Sequence, residues 1–425
     1  MLAKEDINHE TLRLKSAVEE LSILNEIAVA ISSTQSLENI TNLIVKKCVK
    51  YLNAEQGAIH LIDEKDVENP LHTMIRIQTY KDDPLRFSKQ ITNHIIINKK
   101  PVLINDFKTE EIIPIGGNEI LKISSLLSVP MIIKGKIIGI LSLYNKCTDD
   151  GFNESDQRLL SIIAGQSANV IENARLFIEE QELIKIQQEL KVAGDIQKNI
   201  LPRSIPKINN YDIYAVNIPA SEIGGDYYDF IKIAENKTAI ALGDVTGKGL
   251  TAAMLMANLQ ATLRSELLFI NGVKDCIARA NNLLFESTDP TKFATLFFGI
   301  LDTEKNILTY CNAGHNEALF YNNGTLVKLS KGGLLLGCLE DMSYDEEEII
   351  FEINSSLIIF SDGITEAMNG DEDCYGDERL EKLIEDKLSL TSNQIAEEII
   401  TDVKTFTAGI KQSDDITLMI IKRNN

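Results

Sequence analysis

Four aspartates in the C-terminal half of the chain each close a short apolar run and open a turn. They are Asp226 in SEIGGDYYDF, Asp244 in IALGDVTGKG, Asp362 in LIIFSDGITEA and Asp414 in KQSDDITLMII. A fold that gathers these strand ends gathers four carboxylates as well. Carboxylates without basic neighbours repel one another, whereas hard divalent cations such as Mg2+ or Mn2+ take oxygen ligands of this kind. The pattern asks for a metal cluster, and a metal cluster built from carboxylates commonly handles phosphate.

The 425 residues are enough for two or three domains with buried cores. A balance of 42 basic against 63 acidic residues gives a net charge of −21, with no dense Lys/Arg block. That charge disfavours non-specific binding to nucleic acid or anionic membrane. Six scattered cysteines without a C-x-x-C pair support neither zinc spacing nor a disulfide framework, and read as reduced thiols. The N-terminus MLAKEDINHETLRLKSAVEE lacks the apolar segment of a signal peptide. The longest apolar stretch, SSLLSVPMIIKGKIIGILSLY, is broken by Pro130, Lys134 and Lys136, so it cannot span a bilayer as a helix. The expectation is a soluble, cytoplasmic protein with no membrane or nucleic-acid partner.

Helical periodicity runs from about residue 12 to 48, with Leu14, Val18, Leu21, Leu24 and Ala28 on one face. Strand-like segments follow, QGAIHLID, HTMIRIQTY and PVLIND, then LLSVPMII and KIIGILSLYN, which Lys134–Gly135–Lys136 joins as a hairpin. A long helix is predicted from near Asn153 to Ile200, stopped by Pro202 and Pro206. Its later part has a short heptad seam, with Leu176, Leu183 and Leu190 at one position and Ile186, Ala193 and Ile200 at the other. Glu179 and Gln197 interrupt it. From Tyr211 the texture is strand-rich with grouped helices, which predicts an α/β sandwich instead of alternating parallel units.

The ordered motifs AGDIQKNILP, EIGGDYYDF, GDVTGKGLTAA, FATLFFGILD, NAGHNEALFY, SDGITEA and QSDDITLMII resemble the metal-dependent PPM-type serine/threonine phosphatases, nearest to their stage-II-sporulation-E-like branch. The resemblance implies two divalent cations, Mn2+ or Mg2+, held by catalytic aspartates. Asp244 would bridge both ions and the Val245 carbonyl would add a ligand to one. Asp362 and Asp414 would complete the second site, and Asp226 would hold the first ion directly or through water. Asp415 would orient ligands. His315 is read either as a general acid or as a structural loop histidine, and Glu317 stands where the family's NAGHNP motif has proline. The arginine that steadies phosphate in eukaryotic relatives has no clear counterpart before Glu222. Gly247–Lys248–Gly249 lacks the full G-x-x-x-x-G-K-[ST] pattern, so nucleotide hydrolysis is rejected.

The N-terminal part resembles a GAF domain, on the SLLSVPMIIKGKIIGILSLYNK hairpin, the GFNESDQRLLSIIAGQSANVIENARL helix and the QGAIHLID strand. That fold flanks a six-stranded antiparallel sheet with helices. Asn145, Lys146, Phe152 and Asp156 approximate a pattern of cyclic-nucleotide-binding members, with Gln157 in place of Glu, and are read as largely structural. His60, His72 and His94 are read as solvated or core histidines, not haem ligands.

The expected fold class is α+β and multidomain: an N-terminal helix over 1–20, a GAF sensor over 21–177, a coiled-coil linker over 178–205 and a PPM-type α/β/β/α sandwich over 206–425. The expected enzyme is a dimeric phosphoprotein phosphatase acting on a phosphorylated STAS-type anti-sigma factor antagonist. Its sensor would answer to a small molecule or an activator protein. The rival readings are a catalytically silent scaffold that binds a phosphoprotein, and a GAF ligand sensor joined to a constitutive phosphatase.

Overall fold

The computed structural model describes residues 36–62, 73–77, 89–106, 123–269, 272–289 and 291–424. The N-terminal helix expected over 1–20, all of the Leu14–Ala28 periodicity and His72 lie outside the described residues. The chain divides into two compact units, Met1–Ile184 and Lys185–Asn425.

The first unit holds α1 (Leu37–Tyr51), β1 (Ala54–Leu61), β2 (Thr73–Ile77), α2 (Lys89–Asn98), β3 (Val102–Ile104), β4 (Leu126–Ile133) and β5 (Lys136–Lys146). Among the described residues its sheet has five strands in the order β2-β1-β5-β4-β3, every pair antiparallel. The β4–β5 hairpin turns through Lys134 at φ 47° and Gly135 at φ 83°. Two consecutive left-handed residues match the right-handed twist of the flanking strands. In α1, Ile40, Ile44, Val45 and Cys48 recur at helical spacing and pack on Ile59, Val129, Leu141 and Leu143 of the sheet. The N-K-x-F-type residues lock this unit together. Lys146 pairs with half-buried Asp156 at 2.9 Å, Phe152 is in the core, and Asn145 donates to Glu55 at 2.7 Å. The structural reading of that pattern therefore accounts for each of its side chains.

Helix α3 runs unbroken from Glu154 to Ile200, and the boundary between the two units falls within it. Leu160, Ile163, Ala164, Ala168 and Ile171 belong to the first unit's core. Further along, Leu176, Leu183, Ile186, Val192 and Ile196 are exposed.

The second unit contains β6 (Tyr211–Ile218), β7 (Tyr227–Ala234), β8 (Lys237–Val245), α4 (Leu250–Glu266), α5 (Val273–Ser287), β9 (Ala294–Asp302), β10 (Ile307–Ala313), β11 (Ala318–Asn322), β12 (Thr325–Leu329), β13 (Gly332–Gly333), β14 (Glu347–Ile350) and β15 (Ser356–Phe360). It ends with α6 (Asp362–Thr365), α7 (Asp377–Lys387), α8 (Ser392–Thr407) and β16 (Ile416–Arg423). One sheet runs β13-β10-β9-β8-β7 with β14 also on β10, and the other runs β12-β11-β15-β16-β6.

Strict two-residue alternation sorts the side chains into three layers. Ile240 and Leu242 of β8 meet Leu357, Ile359, Met419 and Ile421 of the facing sheet. Ala239 and Ala241 point instead to α4 and α5, where Leu255, Leu259, Cys276 and Ile277 cover them. On the other outer face Ile358, Phe360, Leu418 and Ile420 pack against Leu380, Ile384, Ile395 and Ile399 of α7 and α8. The result is the expected α/β/β/α sandwich. Strands β12 and β13 were not anticipated, since β12 is mostly exposed and β13 is two glycines long.

Candidate active site

The five aspartates come from four segments of the second unit. Asp244 is the penultimate residue of β8, Asp226 immediately precedes β7, Asp362 opens α6 just after β15, and Asp414 and Asp415 lead into β16. The mixed order of strands in the two sheets makes these ends neighbours.

Their electrostatics report the meeting. Burial, then the charges of Asp362, Asp414 and Asp415, pushes the Asp244 carboxyl up to about 7. Burial and then Asp244 push buried Asp226 well above the ordinary carboxylate range, although hydrogen bonds from Thr417 and Ser361 oppose the shift. Asp362 is raised by burial, then by Glu366 and Asp414. Glu366 had not been singled out from the sequence.

Backbone and side-chain contacts fix the loop that presents Asp226. Asp415 accepts from the backbone N–H of Ala220 at 2.8 Å, of Gly225 at 2.5 Å and of Asp226 at 3.3 Å. A Cβ on Gly224 would sit 2.3 Å from Asp415 Oδ2. A Cβ on Gly225 would sit 3.2 Å from Asp244 Oδ1 and 3.1 Å from the Val245 carbonyl, so glycine lets this loop close over both oxygens. Thr417 donates through its hydroxyl to Asp226 Oδ2, and Asn217 in turn donates to Thr417 at 2.7 Å. Ser361 donates to the Asp415 carbonyl at 3.1 Å.

Gln197 of α3 supplies a further clamp. Its Nε2 donates to the Gly224 carbonyl at 2.7 Å and its Oε1 accepts from the Gly224 N–H at 3.1 Å. The sequence marked Gln197 only as a break in an apolar seam; in the structure it is buried against the Asp226 loop.

His315 lies 7% exposed in the wall behind Asp244. Its Nδ1 is 2.9 Å from the Thr295 hydroxyl, which lies 3.4 Å from both the backbone nitrogen and the carbonyl oxygen of Asp244. Burial lowers its pKa to about 4, so the ring is neutral at pH 7. Its Nε2 meets no partner at hydrogen-bonding geometry among the described residues, although the Phe360 carbonyl is near enough to oppose part of the shift.

The donor set suits hard divalent ions. Two close-set oxygens, Asp244 Oδ1 and the Val245 carbonyl, face the same glycine, and mutually repelling carboxylates surround them. Among the described residues no three His, Cys, Asp or Glu side chains form a closed ligand cage. Mg2+ binds in just this manner, through one or two carboxylates while keeping several waters.

Residues 234–424 match the family model described as Stage II sporulation protein E (SpoIIE), and residues 34–172 match that of the GAF domain. The chain is 28% identical over 285 residues to "Phosphoserine phosphatase RsbU" of Bacillus subtilis, covering 66% of this chain and 82% of RsbU. It is 29% identical over 264 residues to "Protein IcfG" of Synechocystis sp., covering 56% of this chain and 42% of IcfG. It is 25% identical over 247 residues to "Phosphoserine phosphatase RsbP" of Bacillus subtilis, covering 57% of this chain and 59% of RsbP. The chain thus spans less than two thirds of IcfG and RsbP. Among solved structures, the SiaA-PP2C domain of Pseudomonas aeruginosa superposes with a TM-score of 0.51 at 17% identity, over 58% of this chain and 98% of that domain, a likeness of fold. The chain thus joins a GAF domain to a SpoIIE-type PPM phosphatase domain.

Proposed function

We propose that this protein hydrolyses phosphoserine or phosphothreonine on a signalling protein, a phosphorylated STAS-type anti-sigma factor antagonist, using two divalent cations, Mn2+ or Mg2+. The observation that carries the proposal is the convergence of Asp226, Asp362, Asp414 and Asp415 on Asp244, whose carboxyl is pushed up to about 7 in the absence of counter-charge. Two of the relatives are named as phosphoserine phosphatases, which supports serine as the residue acted upon.

In this reading Asp244 would serve both ions, the Val245 carbonyl and Asp226 would serve one, and Asp362 and Asp414 would serve the other. When bound, such ions supply Lewis acidity toward the phosphoryl oxygens and a water acidified enough to act as nucleophile at neutral pH. The chain's own residues set the geometry. Asp415 ties the Asp226 loop to the start of β16, Thr417 orients the Asp226 carboxylate, and Thr295 steadies the backbone on either side of the Asp244 Cα. Neutral, buried His315 props Thr295 from behind, which favours its structural reading over that of a general acid.

Regulation is assigned to the GAF domain, answering to a small molecule or an activator protein and acting through α3. The exposed seam of Leu176, Leu183 and Ile186 supports a homodimer formed along that helix. The six free cysteines accord with a reducing, cytoplasmic setting, and no helix among the described residues is long and apolar enough to cross a membrane.

The test is Mn2+-dependent phosphate release from phosphorylated STAS proteins, comparing wild type with Asp244→Asn. Release that disappears in the variant and in chelator is the expected result. A wild type that binds no Mn2+ would overturn the catalytic reading in favour of a phosphoprotein-binding scaffold. Metal binding without release from any phosphoprotein would count against the catalytic reading as well.

A further inference from the structure

The geometry points to Lys248 as the residue that receives the substrate's phosphate, an inference that rests on the phosphatase reading above. Lys248 sits at the tip of the turn after β8, between Gly247 at φ 100° and Gly249 at φ 68°. Backbone of that shape favours glycine, so the two glycines hold the lysine at the apex of a tight bend. Its Nζ lies 2.9 Å from the Ser413 carbonyl and 3.6 Å from Asp414 Oδ2, bridging the Asp244 loop and the Asp414 loop across the mouth of the acidic cluster. Among the described residues it is the one lysine or arginine paired with any of the site aspartates. A second ammonium group stands close by, since a Cβ on Gly247 would lie 3.6 Å from Lys292 Nζ.

Charge balance gives this placement a purpose. Five aspartates and two divalent ions would sum to about −1, and a phosphoseryl group brings roughly a further −1.5 to −2 at pH 7. A cation at the rim favours the dianion's entry without occupying a metal-ligand position. The Lys248 side chain is 74% exposed, and its flexible four-carbon stem lets the ammonium leave Asp414 when an ion takes that carboxylate. Lysine binds phosphate as a point charge, with no need for the planar fork of an arginine. It thereby fills the role that the sequence left without an arginine.

Titration of inorganic phosphate into the Mn2+-saturated full-length chain tests the assignment without requiring turnover. Lys248→Met should weaken phosphate binding about tenfold, and Lys248→Arg should restore most of it. Mn2+ affinity, titrated separately, should stay unchanged or rise, because a cation competing for Asp414 is gone. With a phosphoprotein substrate, Lys248→Met should raise KM by about the same factor and leave kcat nearly intact, as expected for loss of a contact made equally in ground and transition states. Phosphate affinity within about twofold of wild type would overturn the assignment, since such a change is worth only a few tenths of a kcal/mol by the tenfold-per-1.4 kcal/mol relation. A loss that merely follows weakened Mn2+ binding, or a wild type that binds no phosphate, would overturn it too. A wild type that binds Mn2+ and phosphate through Lys248 yet releases none from phosphoproteins would sink the phosphatase reading alone.

Discussion

Gly194→Ala sets local helix propensity against tertiary fit, and the two predict opposite signs. Gly194 lies inside α3, where alanine is favoured over glycine by about 1 kcal/mol. In the folded protein, however, a Cβ at this position would stand 2.2 Å from the carbonyl oxygen of Glu222. Relief to an ordinary carbon–oxygen separation requires the helix and the loop to part by about 1 Å. One turn further along, Gln197 holds Gly224 of that same loop through bonds of 2.7 and 3.1 Å. Lengthening both by about 1 Å takes them beyond hydrogen-bonding range. Two bonds at about 1 kcal/mol each are then lost, and buried amide groups left unsatisfied add about 1–3 kcal/mol.

After the helix-propensity gain, the net destabilisation is about 2–4 kcal/mol, which lowers the melting temperature of a unit this size by roughly 4–16 °C. Because the loop continues into Gly225 and Asp226, a shift of about 1 Å should also cut Mn2+-dependent phosphate release by up to ~100-fold. Calorimetry and a phosphate-release assay read the two effects. Gln197→Ala and the double variant complete a cycle whose combined effect should fall short of the sum, since both changes remove the same bonds. A Gly194→Ala protein that is more stable than wild type and fully active would refute the reasoning outright.

Two further outcomes follow from the same structure. His315 titrates near 4 in the fold against about 6.5 in the unfolded chain, so the unfolded state takes up a proton first as pH falls. Its contribution to stability is complete above pH 6.5 and is lost between 6.5 and 4, by up to about 3 kcal/mol at 1.36 kcal/mol per pH unit. Unfolding free energies of wild type and His315→Gln, followed from pH 7.5 to 4, should converge toward acid pH in wild type's disfavour; a constant difference would contradict the burial of that ring. The exposed seam gives the second outcome. Leu183→Asp, at a position 61% exposed, should turn a dimer into a monomer by sedimentation without changing the melting of either unit, and an unchanged oligomeric state would remove α3 as the dimer interface.

Much of the second unit is legible residue by residue. In β8 the run Ala239, Ile240, Ala241, Leu242 already alternates small and large, and the structure sends the small pair toward the helices and the large pair between the sheets. Asp244 and Asp362 mark strand ends because each interrupts such a run, whereas Asp226 and Asp414 stand ahead of the strands they lead into. The hairpin at Lys134–Gly135 is legible for a similar reason, since glycine at a two-residue interval between apolar runs admits few other turns. Strand β12 escaped because its burial is too slight to impose an alternating pattern on its sequence.

What the sequence alone determined is therefore local and periodic: the strands, the helices, the sandwich they predict and the carboxylates at the strand ends. The supporting contacts were decided by tertiary structure. Gln197 meets a glycine 27 residues away, and Asp415 holds a loop 190 residues upstream through bare backbone N–H groups, which no side-chain pattern encodes. His315 likewise reads as either an acid or a prop until its burial and its bond to Thr295 are known. Hydrophobic periodicity writes itself into neighbouring residues because burial repeats with the geometry of a strand or helix. A hydrogen bond between distant segments constrains single positions only, so its meaning appears when the chain brings them together.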